Sequence, residues 1–140
     1  MRIVGIDFGE KRIGVAAADD KLRIAIPVAT VDAAGDPVEA IARVAAEERA
    51  DELVIGLPLS LTGAEGPQAQ VVRDAVAALE SRLSIPIHVQ DERLTTRQAT
   101  QTMPQKKKGV SRAKAGAPTR DAAAAAILLQ AWLDGQRPYG

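Results

Sequence analysis

Residues 2–18, RIVGIDFGEKRIGVAAA, decide the fold. Two apolar runs, RIVGIDF (2–8) and RIGVAAA (12–18), are separated only by Gly9-Glu10-Lys11, the signature of a β-hairpin. Asp7 lies inside the first run, between Ile6 and Phe8, where an unpartnered carboxylate is costly. One residue before Phe8 closes the run at Gly9, it can emerge at the end of its strand. A third strand is expected over 24–31 (IAIPVATV), with Pro27 marking an edge or a bulge. Three closely linked strands make an antiparallel meander.

Beyond residue 32 the hydrophobic period changes from two to 3.6. Asp36 is placed to cap a helix that Pro37 opens, with Val38, Ile41, Ala42 and Ala45 forming its apolar stripe. Residues 52–57 (ELVIGL) read as a buried strand. Gly66-Pro67 opens a second helix carrying Val72, Ala75, Val76, Leu79 and Leu83 on one face. A fifth strand follows at 85–90 (IPIHVQ). Strand–helix–strand–helix–strand alternation implies parallel pairing. Thr95 and Gln98 fit a capping box for a short helix ending near Met103. Pro104 to Pro118 reads as a loop, and a loop of that length in a compact domain usually has a function or is disordered. A last helix is expected from about Arg120 to Leu133, buried against the sheet because Ala122–Leu129 is apolar nearly all round. The element order βββαβαβαα describes one α/β domain over 1–140, a five-stranded mixed sheet with helices on both faces.

Composition removes several chemistries. The 140 residues include no Cys and one His, which excludes disulfides, thiolate metal sites, a Cys nucleophile and zinc sites built on several histidines. The longest apolar run, Ala122–Leu129, is far short of the roughly 20 residues of a membrane span, and Asp7 interrupts any secretory signal. A cytoplasmic location with no membrane partner is the expectation.

Formal charge sums to +0, yet it is unevenly distributed. From Arg93 to Arg120 every charged residue is basic: Arg93, Arg97, Lys106, Lys107, Lys108, Arg112, Lys114 and Arg120. The rest of the chain carries the compensating acidic excess. Such separation builds a local positive field suited to a polyanion, although a solvated lysine-rich loop is the plain alternative. Aromatic residues are only 2%, so contact with phosphates rather than base stacking is expected.

Acidic residues stand at the ends of elements. Asp7 lies at the end of the first strand, Asp91 and Glu92 follow the fifth, and Asp121 opens the last helix. If strands one and five are central neighbours, their ends meet, and the final helix can deliver a third carboxylate. Converging carboxylates repel one another unless a cation lies between them. Hard oxygen ligands favour Mg²⁺ or Mn²⁺, and two such ions can activate water against a phosphodiester. Each acid also has a simpler reading. Asp7 can accept hairpin N–H bonds, and Asp121 can serve only the helix dipole. Only one of Asp91 and Glu92 can face the site, because strand neighbours point oppositely. His88 reads as a packed or half-exposed strand residue and Trp132 as core.

Gly5, Gly9 and Gly14 lack dinucleotide-fingerprint spacing, and GEKRIG (9–14) starts like a P-loop without its lysine or its helix. Ser60 and Ser111 lack the G-x-S-x-G context of a serine hydrolase. The Gly9 turn beside Lys11 and Arg12 remains a candidate phosphate contact. Sugar kinases and actin-like ATPases use a similar hairpin, but within two large domains.

Four segments together, GIDFGEKRIGVA (5–16), VIGLPLSLTG (54–63), DERLTT (91–96) and RDAAAAAILLQAWLD (120–134), resemble the YqgF family, also called RuvX. Its members are described as Holliday-junction resolvases and as pre-16S rRNA nucleases. The resemblance implies an RNase H-like fold related to RuvC resolvase. It also implies that Asp7, an acid of the DER segment and Asp121 are the catalytic metal ligands for one or two Mg²⁺ or Mn²⁺ ions. Glu92 is preferred to Asp91 because related resolvases carry a Glu there. Ser60 stands where many family members have Asn, and the Pro- and Ala-rich approach to Asp121 departs from the usual Lys-Lys-Gly.

The leading expectation is therefore a divalent-metal-dependent endonuclease acting on structured nucleic acid, either precursor 16S rRNA or branched DNA. Lys11, Arg12, Arg93, Arg97, Lys106, Lys107, Lys108, Arg112 and Lys114 would be its phosphate contacts. Two other readings are a non-catalytic nucleic-acid-binding ribosome-assembly factor and a small nucleotide-binding module using the Asp7–Gly9 turn. Junction resolution further requires two active sites on opposite strands, hence a homodimer. The sequence offers no interface for one, since its apolar helix faces are all expected to pack on the sheet.

Overall fold

A computed structural model describes residues 1–9, 11–33, 35–58, 65–92 and 120–136. The short helix and loop expected between Thr95 and Pro118 lie outside these residues, as do Ser60 and Ser111. Five strands form one sheet: β1 (Arg2–Phe8), β2 (Arg12–Asp19), β3 (Ile26–Asp32), β4 (Glu52–Leu57) and β5 (Ile87–Asp91). Their spatial order is β3-β2-β1-β4-β5. β1 pairs antiparallel with β2, and β2 with β3, while β1–β4 and β4–β5 are parallel. The mixed sheet thus follows the expected element order.

Alternation along the strands divides the sheet into two unequal faces. On one, Val4, Ile6, Phe8, Ile13, Val15, Leu53, Ile55 and Leu57 pack against the helices α1 (Pro37–Glu47) and α2 (Pro67–Arg82). Ile6, Ile41, Leu53 and Leu79 are fully buried there. Each such side chain contributes about 1.5–3 kcal/mol of transfer free energy. α1 starts as its sequence indicates: Asp36 accepts a hydrogen bond from the Glu39 amide at 3.1 Å, and Pro37 occupies the first turn. In α2 the buried face is Ala69, Val72, Ala75, Val76 and Leu79, with Leu83 at the helix end only partly buried.

The other face is built from small residues. Ile3, Ala16, Ala18 and Val54 meet Ala125, Leu129 and Leu133 of the last helix, α3 (Arg120–Gly135). With so little side chain on the strands, this helix lies close to the backbone: a methyl on Gly5 would come within 2.8 Å of the Leu129 Cβ. The buried face of α3 is Ala122, Ala125, Leu128, Leu129 and Leu133. Trp132 is half-buried beside this face rather than in the core. Its ring lies 4.8 Å from that of His88, whose Nε2 is 2.7 Å from Glu52 Oε1. His88 is thus the packed, half-exposed strand residue expected.

Two strand boundaries shift. β3 begins at Ile26 rather than residue 24, because α3 captures the preceding backbone. Gln130 accepts from the Ala25 amide at 2.9 Å and donates to the Arg23 carbonyl at 3.1 Å, and Arg23 is left-handed at φ 57°. Ala16 pairs with Pro27 and Val15 with Ala29, so Val28 is the extra residue of a bulge on an edge strand. The proline therefore stands where a missing N–H is tolerated. β5 begins after Pro86, at Ile87. The larger correction concerns neighbours: β1 and β5 do not touch, because β4 lies between them and β5 is an edge.

Candidate active site

Asp7 shares its side of the sheet with Ile3 and Gly5, the side on which α3 lies. In register it stands beside Gly14 of β2. On its other flank the β1–β4 register, one step beyond the Ile6–Ile55 pair, sets it beside Gly56. A carboxylate between two glycines leaves space on both sides, and two distant parts of the chain fill it.

Above Gly14 sits the first turn of α3. A methyl on Gly14 would collide with the Asp121 carbonyl, so the absence of a side chain on β2 sets where the helix begins. Above Gly56 lies the side chain of Glu92, which directly follows β5. A methyl there would stand 2.8 Å from its Cγ and 2.9 Å from its Oε2. Alternation along β5 explains the choice between adjacent acids. Asp91 pairs in register with Leu57, whose side chain belongs to the α1/α2 core, and so turns to that face. Glu92 turns to the α3 face and crosses the glycine gap in β4 to hydrogen-bond Asp7.

Both carboxyl groups are mostly buried, and their protonation is shifted accordingly. Burial, the Asp7 charge, the hydrogen bond to Asp7 and the Asp91 charge push the Glu92 carboxyl up to about 7. Burial also raises Asp7, the hydrogen bond from Glu92 lowers it in part, and the charge of Asp121 raises it. Both acids are raised together, because burial and the neighbouring negative charge each disfavour a second carboxylate in this place.

Asp121 is close enough to act on Asp7 through its charge, and its carboxylate is ion-paired elsewhere. Its Oδ2 is 3.4 Å from Nε of Arg12. Hence two of the three expected acids meet, and the third is in electrostatic reach but ion-paired. Among the described residues no three acidic or imidazole groups stand together closely enough to hold one ion. The donor chemistry nevertheless fits a hard divalent cation: the charges of two half-buried carboxylates repel, which raises both, and a cation relieves that repulsion.

Lys11 and Arg12 lie at the hairpin end next to this group. With Thr30, Val31 and Asp32 they line a cleft of about 460 Å³. Arg93, Arg97, Lys106, Lys107, Lys108, Arg112 and Lys114 lie outside the described residues. Gly14 and Gly56 escaped the reading of the sequence as site residues. Their signal was available, since a glycine inside a strand marks close approach of another group.

Comparison with known proteins bears on this geometry. A family model described as RuvX, Holliday junction resolvase, matches residues 1–135. The chain belongs to the RuvX family. This RuvX chain is 41% identical over 140 residues to a protein of Anaeromyxobacter dehalogenans named "Putative pre-16S rRNA nuclease", covering 99% of this chain and 100% of that one. A Chloroflexus aurantiacus protein of the same name is 43% identical over 138 residues, covering 96% and 88%. Among solved structures, Thermus thermophilus RuvC in complex with Holliday junction substrate superposes with a TM-score of 0.58 at 15% identity, over 97% and 95% of the chains. The fowlpox virus Holliday junction resolvase gives 0.59 at 12% identity, over 96% and 99%. At such identities these two structures speak for the fold, which is the RNase H-like one the sequence resemblance implied. No helix among the described residues is long and apolar enough to cross a membrane.

Proposed function

We propose that this RuvX-family chain is a divalent-metal-dependent endonuclease that hydrolyses phosphodiester bonds in structured nucleic acid. The observation that carries the reading is the Asp7–Glu92 contact, made across Gly56 beside the first turn of α3. Glu92, Asp7 and Asp121 are the residues assigned to hold Mg²⁺ or Mn²⁺. When bound, such an ion supplies Lewis-acid polarisation of the phosphate and a water acidified for attack.

The chain's own groups do the rest. Asp7, fixed in a central strand, is the least mobile ligand. Glu92, whose carboxyl burial and the Asp7 charge push up to about 7, would serve as a second anionic ligand once a cation offsets that charge. Lys11 and Arg12 contact the backbone phosphates beside the cut, and the basic residues between Arg93 and Lys114 supply a longer-range grip. The names of the curated relatives favour precursor 16S rRNA as substrate. The family description as a Holliday junction resolvase supports a second reading on branched DNA, which requires a symmetric dimer.

Purified protein is incubated with a precursor 16S rRNA fragment and with a four-way DNA junction, each with and without Mn²⁺. Cleavage of the RNA only when Mn²⁺ is present is the expected result. Binding of either substrate without cutting, unchanged by Mn²⁺, would instead establish a non-catalytic assembly factor.

A further inference from the structure

The Asp121 carboxylate acts through its charge on Asp7 and contacts Arg12 at 3.4 Å. Its backbone has little freedom, because the Asp121 carbonyl is seated over Gly14. Only rotation of the side chain can carry the carboxylate from one neighbour to the other. Arg12 is the more exposed partner, with its side chain 70% exposed against 39% for Asp121. The same arginine also lines the cleft formed with Lys11, Thr30, Val31 and Asp32. One guanidinium therefore serves both Asp121 and the place where an anion would bind.

An exposed ion pair of this kind is weak. A phosphodiester presents two acceptor oxygens to a planar guanidinium, and Lys11 adds a second cation from the same cleft. Asp32 lines the cleft as well, so a single weak acceptor would not draw Arg12 across. A nucleic-acid backbone would.

We propose that Arg12 is a positioning residue that holds Asp121 away from the acidic pair until a backbone phosphate in the Lys11–Arg12–Thr30 cleft takes its guanidinium. Asp121 then turns to join Asp7 and Glu92, so that substrate binding completes the carboxylate set. This inference rests on the three acids being cation ligands. Because coupling between two ligands is reciprocal, nucleic acid tightens the cation and the cation tightens nucleic acid.

The test measures Mn²⁺ affinity by calorimetry, without reference to cleavage, in the full chain and in Arg12→Gln, Asp121→Asn and the double variant. Arg12→Gln is expected to bind Mn²⁺ roughly three- to tenfold more tightly than the parent, on the scale of a partly exposed ion pair. In the Asp121→Asn background the same change is expected to alter affinity less than about twofold. Equal gains in both backgrounds would mean that Arg12 acts only as diffuse charge, and that overturns the proposal, as does no gain at all. A short phosphorothioate DNA oligonucleotide supplies the phosphate. It should tighten Mn²⁺ more on the parent than on Arg12→Gln, and equal tightening removes the exchange. Failure of the parent to bind Mn²⁺ would remove the metal-site reading together with this one, whereas Mn²⁺ binding without coupling removes this one alone.

Discussion

Glu92 hydrogen-bonds Asp7 although the strand it follows is not a neighbour of the strand that carries Asp7. The intervening β4 presents Gly56 at that row, and the Glu92 side chain lies in the space a larger residue would fill. This brings two acids from distant parts of the chain into one half-buried place, where neither keeps its ordinary titration.

Replacing Asp7 by Asn should abolish cleavage, by roughly 1,000-fold or more, the equivalent of about 4 kcal/mol in the barrier. The fold, and the affinity for nucleic acid measured without divalent metal, should stay nearly intact, because an isosteric amide can still hydrogen-bond Glu92 and the basic contacts are elsewhere. A single-turnover assay beside a binding titration separates the two effects. Undiminished cutting by Asp7→Asn would reject the site.

Stability of the metal-free protein should fall as pH rises. The Glu92 carboxyl is raised from 4.5 to about 7, so between those values the folded state holds a proton that the unfolded chain has released. The stabilisation is complete below the unfolded value and is lost through about pH 7, on the order of 2–3 kcal/mol. Asp7, also raised, acts in the same direction. Chemical denaturation at pH 5 and pH 8 measures the difference, which Glu92→Gln should largely remove and saturating Mn²⁺ should reverse.

Two alanine substitutions at glycine should differ in kind. At Gly56 the obstructed atoms belong to a flexible side chain, so Gly56→Ala should displace Glu92 and lower cleavage about tenfold or more, with stability changed by less than about 1 kcal/mol. At Gly14 the obstructed atom is helix backbone, so Gly14→Ala should cost about 1–3 kcal/mol by forcing α3 off the sheet. Full activity in Gly56→Ala would show that Glu92 does not need its path over β4.

His88 and Trp132 should prove structural. Glu52 occupies His88 Nε2, and the Trp132 ring covers the imidazole. Trp132→Ala should lower stability by about 2 kcal/mol, while His88→Ala leaves the cleavage rate within about twofold. A large loss of rate with a normal melting curve would contradict this.

Binding should be steeply salt-dependent through the basic stretch. Changing Lys106, Lys107 and Lys108 to Gln together should reduce the slope of log K against log salt by about 2–3 on a DNA duplex, since each neutralised phosphate contributes about 0.9. Filter binding at several salt concentrations reads the slope. No change in it would leave those lysines as a solvated surface.

The strands, the first two helices and the place of Asp7 near the end of β1 were legible in the sequence because they are local. Alternation of period two, the Asp36-Pro37 start and a lone carboxylate between Ile6 and Phe8 each act within a few residues. Asp91 and Glu92, adjacent in sequence, could be narrowed to one of two by alternation alone. Which of them reaches Asp7 depended on the pairing of Leu57 with Asp91, a contact across the sheet.

By itself, then, the sequence determined a mixed five-stranded sheet and which acids end its elements, since pleat and helix period are set by neighbouring side chains. Tertiary structure alone decided that β4 separates β1 from β5, that Gly14 and Gly56 make room on either side of Asp7, and that Asp121 leans on Arg12. Those outcomes depend on volume and charge brought together from distant parts of the chain. A glycine shows what it admits only when its neighbour across the sheet is in place.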